Sequence, residues 1–370
     1  MFNRTARRAL FIALGALLAG SVLTACGSDN KSSSSSSSGG KSGTIALLLP
    51  EHQTARYESQ DRPLFTKKVK ALCPNCDVLY SNGNQQADTQ QQQAEAALTK
   101  GAKVLVLDAV DAGSAASIVT KAKQQKVPVI SYDRLVSKAD LDYYISFDNE
   151  KVGKLQGTSL VSKLKSGGNK GSIVMLNGDP ADHNASLFKK GAHSVIDSSG
   201  FKIAKEYDTP GWLGPNAQRE MEQAITAVGK TAFVGVYSAN DTLDGAAIAA
   251  MKGNGIDPKT RPNTGQDAEL AGVQRILTGD QYMTVYKAIK PEAEGAAQLA
   301  FTLASGKTPD AATVNGKTNN TTIDVPSILL APVAVTKANV KATVIADGFW
   351  TAADICTATF AAACTAAGIS

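Results

Sequence analysis

Residues 127–153 read VPVISYDRLVSKADLDYYISFDNEKVG. Two short apolar runs, Val127–Tyr132 and Tyr144–Phe147, each end on a polar word: Tyr132-Asp133-Arg134 and Phe147-Asp148-Asn149. A helical pattern over Lys151–Leu164 follows the second. Apolar runs of this length are the pattern of strands buried on both faces of a parallel sheet. In such sheets ligand groups collect just past the carboxyl ends of the strands, where these acids, amides and cations stand.

The same alternation continues in both directions. Ile45–Leu49, Val78–Tyr80 and Val104–Leu107 precede the stretch; Ser172–Leu176, Ile203–Tyr207, Phe233–Tyr237 and Tyr282–Tyr286 follow it. Between them, Glu58–Leu72, Thr89–Thr99, Ala115–Gln125 and Ala217–Val228 carry apolar residues at three- and four-residue spacing. Strands alternating with helices predict an α/β fold, each sheet mostly parallel and flanked by helices. About ten such strands exceed one comfortable sheet, so two lobes are predicted. Further polar words, Ser238-Ala239-Asn240-Asp241 and Val285-Tyr286-Lys287, end strands where the lobes would face each other.

Outside this alternation the chain changes character. Residues 1–25 pair three arginines with an apolar run from Ala9 to Ala19 and then Leu23-Thr24-Ala25-Cys26, the pattern of a secretory signal. That ending resembles the bacterial lipobox, which implies cleavage before Cys26, acylation of its thiol and anchoring to the outer face of the cytoplasmic membrane. Residues 26–43, with Ser32–Ser38 unbroken, are too polar to build a core and read as a flexible tether. Without the leader, 35 basic residues face 33 acidic ones, so no basic excess points to nucleic acid.

The other four cysteines form two close couples, Cys73/Cys76 and Cys356/Cys364. In an exported chain two local disulfides are the favoured reading. A redox Cys-x-x-Cys or a shared zinc site remains the alternative, with no histidine spacing to support the metal. The segment 350–370 is Ala/Thr-rich and is expected to be a short helix or an irregular appendage of no evident function.

Catalytic patterns fail in turn. Gly306-Lys307-Thr308 and Gly316-Lys317-Thr318 lack the first glycine of a phosphate loop, and no Gly-x-Gly-x-x-Gly follows the first strand. Ser186-Leu187-Phe188-Lys189 has none of its partner motifs, and no Gly-x-Ser-x-Gly elbow occurs. His52 and His183 fall on strand-end loops within reach of a ligand, while His193 sits in a helical pattern. No metal or cofactor is expected. A glycosidase would need two carboxylates facing across a bond, and Asp133 with Asp267 is the pair to test.

The polar words suit an unmodified sugar instead. Each hydroxyl donates and accepts, so its site needs carboxylates, amides and cations, with an aromatic surface for the C–H face of the ring. Asp133, Arg134, Asn184, Asn240, Asp267 and Lys287 supply the first set and Trp212 the second. Tyr132-Asp133-Arg134, the ten residues 144–153, Asp182-His183-Asn184-Ala185, Gly265-Gln266-Asp267-Ala268, Met283–Lys287 and Asp324-Val325-Pro326-Ser327 together resemble the D-xylose-binding proteins of bacterial ABC importers.

The resemblance runs from about Thr44 to Phe349 and implies a two-lobed type I periplasmic binding fold with a three-strand hinge. Lobe 1 would comprise 44–148 plus 287–323, and lobe 2 would comprise 149–286 plus 324–349. It further implies that Asp133 and Arg134 bind hydroxyls from lobe 1, Asn184, Asn240 and Asp267 from lobe 2, and Lys287 from the hinge. Trp212 would stack on the sugar, with Arg56 and Tyr57 opposite. One departure stands out: Lys259–Thr264, which should lead into Asp267 as a strand, has a proline and almost no apolar residue. The expected protein is a monomeric, non-catalytic receptor that delivers a monosaccharide, foremost D-xylose, to an ABC permease. The alternative is a glucose, galactose or arabinose receptor signalling to a membrane sensor. A transcription regulator of the same fold would carry a DNA-binding segment where the leader and tether stand.

Overall fold

The computed structural model describes residues 43–369; the expected signal, Cys26 and most of the expected tether lie outside the described residues. The chain first lays down β1 (Thr44–Leu49), α1 (Arg62–Leu72), β2 (Asp77–Asn82), α2 (Ala87–Thr99), β3 (Val104–Leu107), α3 (Ala116–Gln124), β4 (Val129–Tyr132) and β5 (Tyr143–Phe147). It continues with α4 (Asn149–Ser166), β6 (Ser172–Asn177), α5 (His183–Ile196), β7 (Lys202–Asp208), α6 (Gly214–Val228), β8 (Phe233–Ser238), α7 (Asp241–Gly253), α8 (Leu270–Thr278) and β9 (Met283–Tyr286). Then follow α9 (Ile289–Ala304), β10 (Gly316–Asn319), β11 (Asp324–Leu330) and β12 (Val333–Thr336).

The first sheet has the order β10-β11-β5-β4-β3-β1-β2 and is parallel except for β10. Its strand β1, between β3 and the edge strand β2, is buried from Ile45 to Leu49 without interruption. Ala46 and Leu48 pack with Ala94, Ile118 and Val119 of α2 and α3, whereas Ile45, Leu47 and Leu49 pack with Phe65, Val69 and Ala296 of α1 and α9. Two covered faces explain why this strand reads as a solid apolar run. Each buried aliphatic side chain contributes about 1.5–3 kcal/mol.

The second sheet centres on β7-β6-β8, with β9 and β12 antiparallel to one another. Residues 262–267 bridge the two groups. Val236 N–H donates to Pro262 O, Gly265 N–H to Met283 O and Asp267 N–H to Val285 O. The unpromising Lys259–Thr264 is therefore a helical turn at Pro258–Thr260 followed by one short bridge, with Asn263 and Thr264 buried. Helices α4 and α5 touch backbone to backbone here. A Cβ on Gly153 would come within 1.9 Å of Phe188 O, and one on Gly191 within 2.0 Å of Glu150 O.

One expected boundary is corrected. The sequence assigns 324–349 to the second lobe, but β11 pairs with β5 of the first sheet. Its Val325 is buried against the α2–α3 layer, and Ile328 packs toward the α1–α9 layer, so both helix layers of that sheet are needed to cover it. The chain thus passes between the sheets at Phe147–Asn149, Tyr286–Ile289 and Leu330–Val333. Cys73 is bonded to Cys76 and Cys356 to Cys364. The terminal segment forms two short helices, Ala352–Ile355 and Ala361–Ala366. It is no loose appendage: Ile355, Cys364 and Ile369 are buried with Val273, Ile276 and Leu277 of α8.

Candidate functional site

Between the carboxyl ends of the two sheets lies a small cavity. It is lined by all nine residues singled out from the sequence: Arg56, Tyr57, Asp133, Arg134, Asn184, Trp212, Asn240, Asp267 and Lys287. Thr54, Asp182, Phe188 and Gln266 complete it.

Arg56 and Tyr57 stand where the loop after β1 enters a wide helical turn, Tyr57–Asp61. The Arg56 guanidinium donates Nε to Asp61 Oδ2 (2.9 Å) and Nη2 to Asp61 Oδ1 and Glu292 Oε2 (2.7 Å each). Its Nη1 reaches Asp133 Oδ1 at 3.2 Å. Tyr132 O–H also donates to Asp61. Tyr57 O–H donates to Asp133 Oδ2 (3.1 Å) and accepts from Arg134 Nη2 (3.2 Å). Glu58 faces away, toward Tyr80, Asn82 and Arg62.

Burial pushes the Asp133 carboxyl up, but Arg56, Lys287 and Arg134 outweigh it and hold the group below the usual carboxylate range. Burial likewise works against Lys287, yet Asp267 at 2.9 Å and Asp133 keep its ammonium above the ordinary lysine value. Glu292 is the reverse case: burial drives its carboxyl well up, with Arg56 opposing. The cavity floor therefore presents fixed charges of both signs. Buried ion pairs roughly break even against apolar packing, so stability does not account for this density of charge.

The second sheet contributes helix starts. Asp182 caps α5, accepting from Asn184 N–H at 2.8 Å, while its other oxygen accepts from Trp212 Nε1 (3.2 Å) and forms an ion pair with Arg134, 3.1 Å from Nε. Asn240 caps α7 through Oδ1, accepting from Leu243 N–H at 2.9 Å. Asn184 Nδ2 donates across the cavity to Asp133 O (2.9 Å), and Asn149 Nδ2 donates to Asn184 Oδ1 (2.9 Å). Asp148 caps α4 through Lys151 N–H at 3.0 Å, a structural duty. Trp212 is buried, edge-on to Phe188 at 6.4 Å. Gln266 Oε1 is buried in the wall without a hydrogen-bond partner among the described residues.

The histidines stay outside. His52 is half exposed beside Glu58 on the loop after β1, and His183, expected on a loop, is the first residue of α5, where burial lowers its pKa; neither lines the cavity. Ser186 donates to His183 O, while Lys189 pairs with Glu206 and Asp208, so they form no catalytic couple. Asp182 is missed by sequence reading because an aspartate before a helix reads as a cap. Gln266 stands inside a quoted word, and Phe188 follows Asn184 by one helical turn. Thr54 carries no signal.

A family model described as periplasmic binding protein domain matches residues 45–308. The chain is 39% identical over 313 residues to a D-xylose-binding periplasmic protein of Escherichia coli strain K12, covering 84% of this chain and 91% of that protein. It is 34% identical to a multiple sugar-binding periplasmic receptor of Rhizobium radiobacter, covering 84% and 91%. Its fold matches a carbohydrate transporter solute-binding protein of Chloroflexus aurantiacus in complex with D-glucose, with TM-score 0.76, 29% identity and coverage of 84% and 97%.

Proposed function

The chain belongs to the periplasmic binding protein family, and from that premise we propose that it captures one monosaccharide, D-xylose, between its lobes and delivers it to the permease of an ABC importer. The observation that carries this reading is the cavity itself. Three buried cations and a set of carboxylates and amides surround it, and an indole forms one wall. A hydroxyl set can be matched donor for acceptor only by such a mixture, and the indole offers an apolar surface to the ring. An unmatched polar atom here costs about 1–3 kcal/mol, which turns the array into a filter. Members of this family bind and do not turn over; a glycosidase acid needs a raised pKa, and Asp133 is held low.

In this reading lobe 1 is 44–148 with 287–330, and lobe 2 is 149–286 with 331–349. Arg56, Tyr57, Asp133, Arg134 and Lys287 meet the sugar from one side, and Asn184, Asn240 and Asp267 from the other, with Trp212 stacked on the ring. Trp212→Ala and Asp267→Ala are each expected to weaken sugar binding tenfold or more in a folded protein. Parent-like affinity in both would refute the assignment.

A second reading is a multi-sugar receptor that signals to a membrane sensor; the relative in Rhizobium radiobacter, a multiple sugar-binding receptor, favours its multi-sugar part. The working form is proposed to be a monomer, held at the outer face of the cytoplasmic membrane by an acylated Cys26. Cys26→Ala should release the protein from membranes with binding intact; undiminished membrane fractionation would contradict the anchor.

A further inference from the structure

Asp267 and Ala268 both have left-handed backbone, φ 86° and 48°, which residues other than glycine hold only where the surroundings fix them. Three of the fixing bonds are local: Asp267 N–H to Val285 O (2.9 Å), Ala268 N–H to Thr284 Oγ1 (3.2 Å) and Glu269 N–H to Asp241 Oδ2 (2.9 Å). The fourth comes from the far end of the chain: Trp350 Nε1–H donates to Ala268 O at 2.8 Å.

The segment bearing Trp350 backs the other half of the Asp267–Lys287 pair as well. Phe349 packs edge-on against Tyr286, 5.2 Å away and immediately before Lys287, and against Trp350 at 5.4 Å. Gln60, three residues after Tyr57, donates Nε2 to Phe349 O at 3.4 Å. The segment is held in turn by the Cys356–Cys364 bond, by Ile355 and Ile369 buried against α8, and by Gln274 Nε2 donating to Ile355 O at 3.2 Å.

We infer that this disulfide-bonded terminus is a working part of the ligand site. Trp350 is a positioning residue that holds the Ala268 carbonyl, and through it the Asp267 carboxylate, in the geometry that meets the ligand. The inference deepens the sugar-binding reading and rests on it for the ligand.

Trp350→Phe keeps a ring beside Phe349 and removes the N–H. It is expected to weaken D-xylose binding about fivefold or more, the scale of one lost hydrogen bond. Without sugar, amide hydrogen exchange at Ala268 and Glu269 should quicken. The double variant Cys356→Ser, Cys364→Ser should move both readouts in the same direction, whereas Cys73→Ser with Cys76→Ser, remote from the site, should move neither. Parent-like exchange and affinity in Trp350→Phe would overturn the inference. A folded parent that binds no sugar would overturn the sugar reading instead, and the exchange rates alone would then decide whether Trp350 holds Ala268.

Discussion

Trp212 reaches its place because residue 178 is glycine: a Cβ there would lie 2.0 Å from the indole Cη2 and 2.2 Å from Cζ2. Gly178→Ala must therefore displace the ring that walls the cavity. We expect at least a tenfold loss of sugar affinity with the fold retained, read by calorimetry and circular dichroism; unchanged affinity would show that the indole does not contact the ligand. At this scale much of the site is legible in sequence, since acids, amides and cations at strand ends have few structural duties that require all three together. What stays hidden is what holds them. Glu292 grips Arg56 across 236 positions of sequence, and Asp182 hides behind its capping role. Gly178 bears no mark in the sequence that links it to an indole 34 residues later.

Among the elements, strands such as β1 and β3 are legible because continuous burial on both faces leaves a continuous apolar run. Residues 259–264 mislead for the opposite reason: one bridge to Val236 and side-chain bonds from Asn263 and Thr264 do the work of a longer strand. The partner of β11 is equally unreadable, because an apolar strand does not announce which sheet it joins. The start of α8 carries a pH dependence. Burial and the neighbouring Asp241 charge push Glu269 up to about 8, with Thr242 O–H donating to it. Its folded value exceeds its unfolded one, so the folded state holds that proton more tightly. The resulting stability is complete below about pH 4.5 and is lost as pH rises through about 8. The thermal midpoint should accordingly fall between about pH 5 and about pH 8, and Glu269→Gln should make that slope shallower. An identical slope in the variant would show that Glu269 ionises normally.

Over the whole molecule, the two sheets are joined across the cavity by direct bonds. Ala112 N–H donates to Ala181 O (3.0 Å), Gln85 Nε2 to Gly211 O (2.8 Å) and Asn184 Nδ2 to Asp133 O. These contacts belong to a closed arrangement, in which the cavity walls come from both lobes. Periodicity alone divides the strands between two lobes, but the three crossings that bring Asp133, Asp267 and Lys287 together follow only from the family resemblance. Opening and closing about those crossings is the motion by which such a fold admits and releases a ligand. This cavity is proposed to bind one simple sugar. Calorimetric titration of the chain from Thr44 with D-xylose, ribose, arabinose, glucose and galactose tests it most directly. The expected result is tight one-to-one binding of D-xylose with the other sugars weaker; a folded protein that gives no heat with any of the five would contradict the account.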